Sequence, residues 1–68
     1  MTETIGNKVS ELRQRFGATQ EELAERVGVS RQTIIAVEKG NYTPSLLLAL
    51  KLSLFFNKQI EYIFWLKK

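Results

Sequence analysis

Three consecutive side chains, Arg31, Gln32 and Thr33, can all donate hydrogen bonds, and they follow a serine of the type that caps helices. At the start of a short helix they would lie on its exposed first turn. An arginine can bond guanine O6 and N7 in bidentate fashion, and a glutamine can bond adenine N6 and N7. Threonine can meet a base, a thymine methyl group or a phosphate. This segment therefore offers the chemistry needed to read base edges in a duplex groove.

Two short helices joined by a tight turn are expected to position these side chains. Thr19 can cap the first helix, and Gly28 supplies the left-handed residue that ends it. Ser30 caps the second helix, and Gly40 closes it. The two helices are expected to span residues 20–27 and 31–39. A short helix braced by the helix before it is an element that the major groove of DNA admits.

These residues resemble the helix-turn-helix of the lambda repressor/Cro-like (XRE) family of small prokaryotic regulators. Several separate motifs match in type and spacing, and the similarity runs from about Asn7 to Phe64. The matching segments are residues 11–13, 19–24, 28–34, 38–40 and 44–46. The resemblance implies an all-α, compact five-helix lambda repressor-like fold, in which the second helix of the motif is the recognition helix.

The recognition helix carries the side chains expected to contact bases. Gln32 is the first choice for base readout, whereas Arg31 either reads a base or clamps a phosphate. Ile35 either contacts thymine methyl groups or covers neighbouring core, and the small Ala36 lets the helix approach the bases closely. The predicted base-reading residues are Arg31, Gln32, Thr33, Ile35 and Ala36.

A second set of side chains is expected to hold the sugar-phosphate backbone. In the resembled family, the glutamine at the position of Gln20 reaches a phosphate, assisted by the free amides of the helix start. The loop after the recognition helix touches the backbone beside the groove, although Tyr42 is as readily explained by packing against the fourth helix. The predicted phosphate-contacting residues are Gln20, Ser30, Lys39, Asn41 and Tyr42.

Arg13 lies beside the apolar stripe of the first helix, where an ordinary arginine would be solvated. The resemblance implies instead that Arg13 pairs with Glu38 near the end of the recognition helix. Such a pair would be bidentate and partly buried, and it would lock the first helix against the third.

Composition limits the protein to one small domain and argues against catalysis. The chain has 68 residues, a net charge of +3, and neither cysteine nor histidine. The absence of cysteine excludes disulfides and thiolate metal sites, and the absence of histidine removes the commonest general base and metal ligand. No apolar run is long enough to span a membrane. We therefore expect no enzyme, no cofactor and no bound metal.

The chain is expected to form five helices in a single domain covering residues 1–68. The predicted helices are about 7–16, 20–27, 31–39, 45–56 and 60–64, followed by an apolar tail at 64–68. The fourth helix is apolar nearly all round, so something must cover its outer side. Its extra leucines either enlarge the core or form a homodimer seam together with the tail. The candidate dimer residues are Leu47, Leu54, Phe64, Trp65 and Leu66.

The sequence thus predicts a cytoplasmic DNA-binding transcriptional regulator. We expect a repressor that binds an inverted-repeat operator in double-stranded DNA as a homodimer, and repression is preferred over activation because blocking polymerase at a promoter requires no further chemistry. The alternative is a protein-interaction module, or an antitoxin-type protein that binds its partner through the apolar C-terminal surface. An antitoxin would combine both activities, whereas a pure interaction module has no reason to keep five polar side chains on one surface: Gln20, Arg31, Gln32, Thr33 and Lys39.

Overall fold

The computed structural model describes residues 3–67, which fold into five helices and two short strands. In chain order these elements are β1 (Thr4–Asn7), α1 (Val9–Arg15), α2 (Gln20–Val27), α3 (Arg31–Lys39), α4 (Leu46–Phe56), α5 (Ile60–Ile63) and β2 (Phe64–Lys67). Within the described residues no helix combines the length and apolar character that a membrane span requires. The longest helix, α4, has 11 residues.

Local capping defines the helix-turn-helix formed by α2 and α3. The Thr19 hydroxyl accepts from the Glu22 backbone N–H at 3.0 Å, and the Glu22 carboxylate accepts from the Thr19 N–H at 2.8 Å. Gly28 and Gly40 end the two helices at φ values of +76° and +81°, a conformation that costs a glycine little. The helices therefore begin and end where the caps in the sequence indicate.

An all-α description is incomplete, because both ends of the chain pair in a two-stranded antiparallel sheet. Ile5 is opposite Leu66, and Gly6 is opposite Trp65. A Cβ added to Gly6 would lie only 2.5 Å from the Trp65 Nε1 atom, so the indole packs directly on the glycine backbone. The expected helix 7–16 and apolar tail 64–68 are corrected accordingly: residues 4–7 and 64–67 are strands. Lys68 lies outside the described residues.

Asn7 explains why the first helix begins at Val9. Its side-chain oxygen accepts from the Val9 N–H at 3.0 Å, and its amide donates to the Val37 carbonyl near the end of α3 at 2.9 Å. The side chain thus separates β1 from α1 and attaches both to the recognition helix. Ile5 has the spacing of the α1 apolar stripe, but it belongs to the strand and packs on the edge of the core.

One hydrophobic core joins all five helices and the start of β2. Phe64 is part of this core and is only 8 % exposed, so the expectation that it lies on a dimer surface is wrong. On α4 the core side and the outer side are both apolar. The largest fully buried side chains are Phe56, Leu12, Leu23, Ile34, Leu52, Ile63, Val9 and Val37.

Candidate nucleic-acid interface

The outer face of α3 is set by the two side chains that it buries. Ile34 and Val37 are 0 % and 1 % exposed, which fixes the rotation of the helix about its axis. At about 100° per residue, the opposite direction falls between Gln32 and Lys39. Both of these residues are exposed. The centre of the outer face therefore presents an amide and an ammonium group, seven residues apart along one side of the helix.

The flanks of this face differ in polarity. Arg31 is exposed on the side that faces α2, whereas Ile35 and Ala36 are both partly buried. Ile35 thus still presents some apolar surface beside Gln32. Neither Arg31 nor Lys39 lies within ion-pair distance of a carboxylate in residues 3–67. Both cations are therefore available to an anionic partner.

Ser30 and Thr33 are hydrogen-bonded to each other at the start of α3. The Ser30 hydroxyl accepts from the Thr33 N–H at 3.2 Å and lies 3.0 Å from the Thr33 hydroxyl. Because one hydroxyl must donate to the other, a single hydroxyl hydrogen is left for an outside acceptor. The two predicted contact residues therefore act as one donor group and cannot each donate independently.

Arg13 and Glu38 form the pair that the resemblance implies, and it is well shielded. The Arg13 Nε atom donates to Glu38 Oε2 at 2.7 Å, and Nη2 approaches Oε1 at 3.4 Å. Their side chains are 14 % and 7 % exposed. Arg13 Nη1 also donates to the carbonyl of Ala18 at 2.9 Å, just before α2. One guanidinium thus connects α1, the start of α2 and the end of α3.

Gln20 joins the same network, which sequence reasoning missed. Its amide Nε2 donates to Glu38 Oε1 at 3.0 Å, leaving the second amide hydrogen for another acceptor. This contact links residues 18 positions apart. No local pattern signals such a bond, because it depends on how α2 crosses α3. Glu38 consequently fixes the orientation of the side chain predicted to reach a phosphate.

The loop after α3 projects its side chains into solvent. The Gly40 N–H bonds to the Val37 carbonyl at 3.0 Å, and the Asn41 N–H bonds to the Ala36 carbonyl at 3.0 Å, so the backbone closes the helix. Asn41 is exposed, and the Tyr42 side chain is 45 % exposed. This exposure favours the contact interpretation of Tyr42 over simple packing against α4.

Family comparison agrees with the geometry. The profile of the helix-turn-helix family matches residues 9–63, which include all five helices. The chain belongs to the lambda repressor/Cro-like (XRE) helix-turn-helix family. Proteins of this family are DNA-binding transcriptional regulators and not enzymes. The match excludes both β1 and β2.

Two relatives resemble this XRE-family chain over most of their length. It is 60% identical over 62 residues to the uncharacterized HTH-type transcriptional regulator YgzD of Bacillus subtilis (strain 168), covering 91% of this chain and 94% of that one. It is 57% identical over 58 residues to the uncharacterized HTH-type transcriptional regulator MJ0272 of Methanocaldococcus jannaschii, covering 85% and 88%. Bacterial and archaeal proteins named as regulators are therefore similar in sequence to this chain.

A solved structure shares the fold of this XRE-family protein. The restriction-modification controller protein C.AhdI from Aeromonas hydrophila matches with a TM-score of 0.74 and 33% sequence identity. The match covers 81% of this chain and 83% of C.AhdI. The helical arrangement around α3 is therefore similar to that of C.AhdI.

The remaining predicted residues lie away from α3, on α4 and β2. Leu47 and Leu54 are 63 % and 82 % exposed, and Leu66 on β2 is 64 % exposed. Trp65 is 41 % exposed because its indole partly covers Gly6. Leu46 and Leu50 are also exposed and were not among the sequence-based candidates.

Proposed function

We propose that this protein is a sequence-specific repressor of transcription that binds an inverted-repeat operator in double-stranded DNA as a homodimer. The observation that carries the proposal is the outer face of α3, where Arg31, Gln32 and Lys39 are exposed opposite the buried Ile34 and Val37. A helix with this face fits the major groove, in which each base pair presents a distinct pattern of donors and acceptors.

In this proposal, polar side chains of α3 bond base edges and its apolar side chains pack against thymine methyl groups. Gln32, at the centre of the face, bonds adenine, and Arg31 bonds guanine or an adjacent phosphate. Thr33 donates its hydroxyl hydrogen to Ser30 and meets the bases through its methyl group or as an acceptor. Ile35 and Ala36 meet thymine methyl groups, because they offer apolar surface beside Gln32.

Phosphate contacts hold the recognition helix in register without reading sequence. Gln20 uses the amide hydrogen that Glu38 leaves free, and the Ser30 hydroxyl contacts the same strand of backbone. Lys39, Asn41 and Tyr42 contact the other side of the groove from the end of α3 and its loop. Every one of these side chains is at least partly exposed.

A homodimer would place two recognition helices in successive major grooves, about 34–36 Å apart. Such a dimer covers promoter DNA and blocks polymerase without further chemistry, which favours repression over activation. The candidate interface residues that remain exposed are Leu47, Leu54, Trp65 and Leu66. We place the protein in the cytoplasm, where it has access to the chromosome.

The alternative is a module that binds only another protein. The polar face of α3 argues against it, because a pure interaction module gains nothing from unpaired cations around a glutamine. The exposed leucines of α4 do favour a protein contact, and in this proposal that contact is made by a second copy of the chain.

Selection from a randomised duplex pool tests the proposed function. We expect the retained duplexes to share an inverted repeat whose half-sites lie about one helical turn apart. Retention that depends on salt but carries no common sequence would refute sequence-specific binding. A common sequence without two-fold symmetry would refute the dimeric operator.

A further inference from the structure

The middle of the outer face of α3 is apolar. Ile35 and Ala36 lie side by side between Gln32 and Lys39, three or four residues from each. Residues at these spacings are neighbours on a helix surface, with Cβ atoms about 5–6 Å apart. Ile35 and Ala36 are both partly exposed. An amide and an ammonium group therefore frame a small hydrocarbon surface, the Ile35–Ala36 patch.

The Ile35–Ala36 patch has its shape before any DNA is bound. Isoleucine is β-branched and has one strongly preferred χ1 rotamer in a helix, and alanine has no side-chain rotamers to lose. The backbone beneath the patch is also fixed, because the Ala36 carbonyl accepts from the Asn41 N–H at 3.0 Å. The patch can therefore make an apolar contact at little cost in conformational entropy.

The carboxylate of α3 is directed away from this patch. Glu38 is the one acidic residue in α3, and its side chain is only 7 % exposed. It accepts from Arg13 and Gln20 on the side of the helix that faces α1 and α2. The patch can therefore approach the floor of the major groove without bringing a negative charge towards the DNA.

Hydrocarbon surface reads one feature of a base pair in the major groove, the methyl group at C5 of a pyrimidine. Thymine also presents its O4 acceptor there, and cytosine presents its N4 donor. A side chain without polar atoms bonds neither group. The C5 methyl group of 5-methylcytosine occupies the same position as that of thymine. An apolar contact therefore distinguishes methylated from unmethylated pyrimidines more sharply than it distinguishes thymine from 5-methylcytosine.

We propose that the Ile35–Ala36 patch recognises the C5 methyl group of a pyrimidine and accepts 5-methylcytosine in place of thymine. The inference rests on the proposed function, since it requires α3 to lie in the major groove. It adds a ligand class to that function, namely duplex DNA methylated at C5 of cytosine. Methylation of a cytosine at the contacted position raises the affinity of the protein, so occupancy of such a site responds to the modification of the DNA.

Comparison of duplexes that differ by single methyl groups tests the proposal. The probe is the inverted repeat recovered from the randomised pool, and binding is followed by fluorescence anisotropy. Each thymine is replaced in turn by uracil in both half-sites. Loss of one buried methyl group weakens binding about fourfold, so loss of one from each half-site should weaken it about 16-fold at the contacted position.

The same position is then occupied by cytosine or by 5-methylcytosine, each paired with guanine. We expect the methylated duplex to bind about 16-fold more tightly than the unmethylated one, for the same reason. Within each pair of duplexes the hydrogen-bonding groups offered to Gln32 are identical. A difference in affinity therefore reports the methyl group alone.

A variant of the patch assigns the effect to α3. Ile35→Ala should abolish most of the preference for thymine over uracil and for 5-methylcytosine over cytosine. Ile60→Ala is the matched control, because it makes the same change at a partly exposed isoleucine on α5. It should leave both preferences unchanged. Circular dichroism establishes that each variant is folded, and the comparisons between duplexes test the proposal with the unaltered protein even if Ile35→Ala does not fold.

Three results would overturn the proposal. These are equal binding of thymine and uracil duplexes at every position, equal binding of cytosine and 5-methylcytosine duplexes, and unchanged preferences in a folded Ile35→Ala variant. Each of them leaves sequence-specific binding intact. Failure of the randomised pool to yield any shared sequence would instead refute the proposed function, and this inference with it.

Discussion

Replacing Arg13 by methionine should be severely destabilising. The substitution leaves the Glu38 carboxylate, which is 7 % exposed, without its charged partner. Breaking a buried ion pair on one side costs about 3–5 kcal/mol. Gln20 still donates to this carboxylate at 3.0 Å, which places the expected loss at the lower end, about 3 kcal/mol.

A loss of this size is large for so small a domain. The whole free energy of unfolding of a 68-residue chain is about 3–10 kcal/mol. The melting temperature should fall by roughly 12–24 °C, at about 4–8 °C per kcal/mol for domains of this size. Urea unfolding followed by circular dichroism measures the change directly, provided that the denaturant slope is unchanged.

Two further variants test whether the unpaired buried carboxylate of Glu38 causes the loss of stability. Arg15 pairs with Glu11 at 3.0 Å on the surface of the same helix, where the side chains are 63 % and 52 % exposed. Arg15→Met should therefore cost no more than about 0.5 kcal/mol. Combining Arg13→Met with Glu38→Gln removes both buried charges and should recover stability to within about 1 kcal/mol of wild type, the remainder reflecting the lost bond to the Ala18 carbonyl. Equal losses in Arg13→Met and Arg15→Met would refute this reasoning, as would a double variant no more stable than Arg13→Met.

Three more substitutions test other contacts. Gly6→Ala forces the indole of Trp65 away from the strand, because the new Cβ would lie 2.5 Å from its Nε1 atom. We expect a loss of about 1–3 kcal/mol and a red shift in tryptophan fluorescence, and an unchanged spectrum would contradict the packing. Thr19→Ala removes a capping box and should cost about 1 kcal/mol in urea unfolding, with Thr43→Ala as an exposed loop control that should cost less. Gln20→Ala should weaken binding to all duplexes by a similar factor in a mobility-shift titration, and a change in sequence preference would contradict its role as a phosphate contact.

The helix-turn-helix was predictable because its determinants are local. Thr19, Gly28, Ser30 and Gly40 each specify a helix end through a cap or a left-handed conformation, and neither depends on distant structure. The Arg13–Glu38 pair spans 25 positions and was expected only from the family resemblance. Spacing alone would have left Arg13 as a solvated residue.

The sheet was missed for physical reasons that apply to any short strand. Each strand has four residues, too few for a convincing alternation of apolar and polar side chains. Ile5 also fits the apolar period of the following helix. What separates the strand from that helix is Asn7, whose amide reaches Val37 at the far end of α3. Such a contact is not visible in the local sequence.

The outer face of α4 was partly predictable. Leu47 and Leu54 were expected at a surface, but Leu46 and Leu50 were not singled out. A helix that is apolar nearly all round carries little information about which side faces the core. Burial of Phe64 likewise depends on β2 turning back along β1, which brings this side chain under the sheet.

The most direct test of the central claim compares two selections from the same randomised duplex pool, one with the wild-type protein and one with Gln32→Ala. If α3 reads bases through Gln32, both selections should recover the same inverted repeat, and the variant should lose its preference at one base pair in each half-site. Relative affinity at that position should fall by about 1–3 kcal/mol, or roughly 5- to 150-fold. Identical preferences from both proteins would contradict the assignment of Gln32 as a base-reading residue. Absence of any shared sequence in the wild-type selection would contradict sequence-specific DNA binding itself.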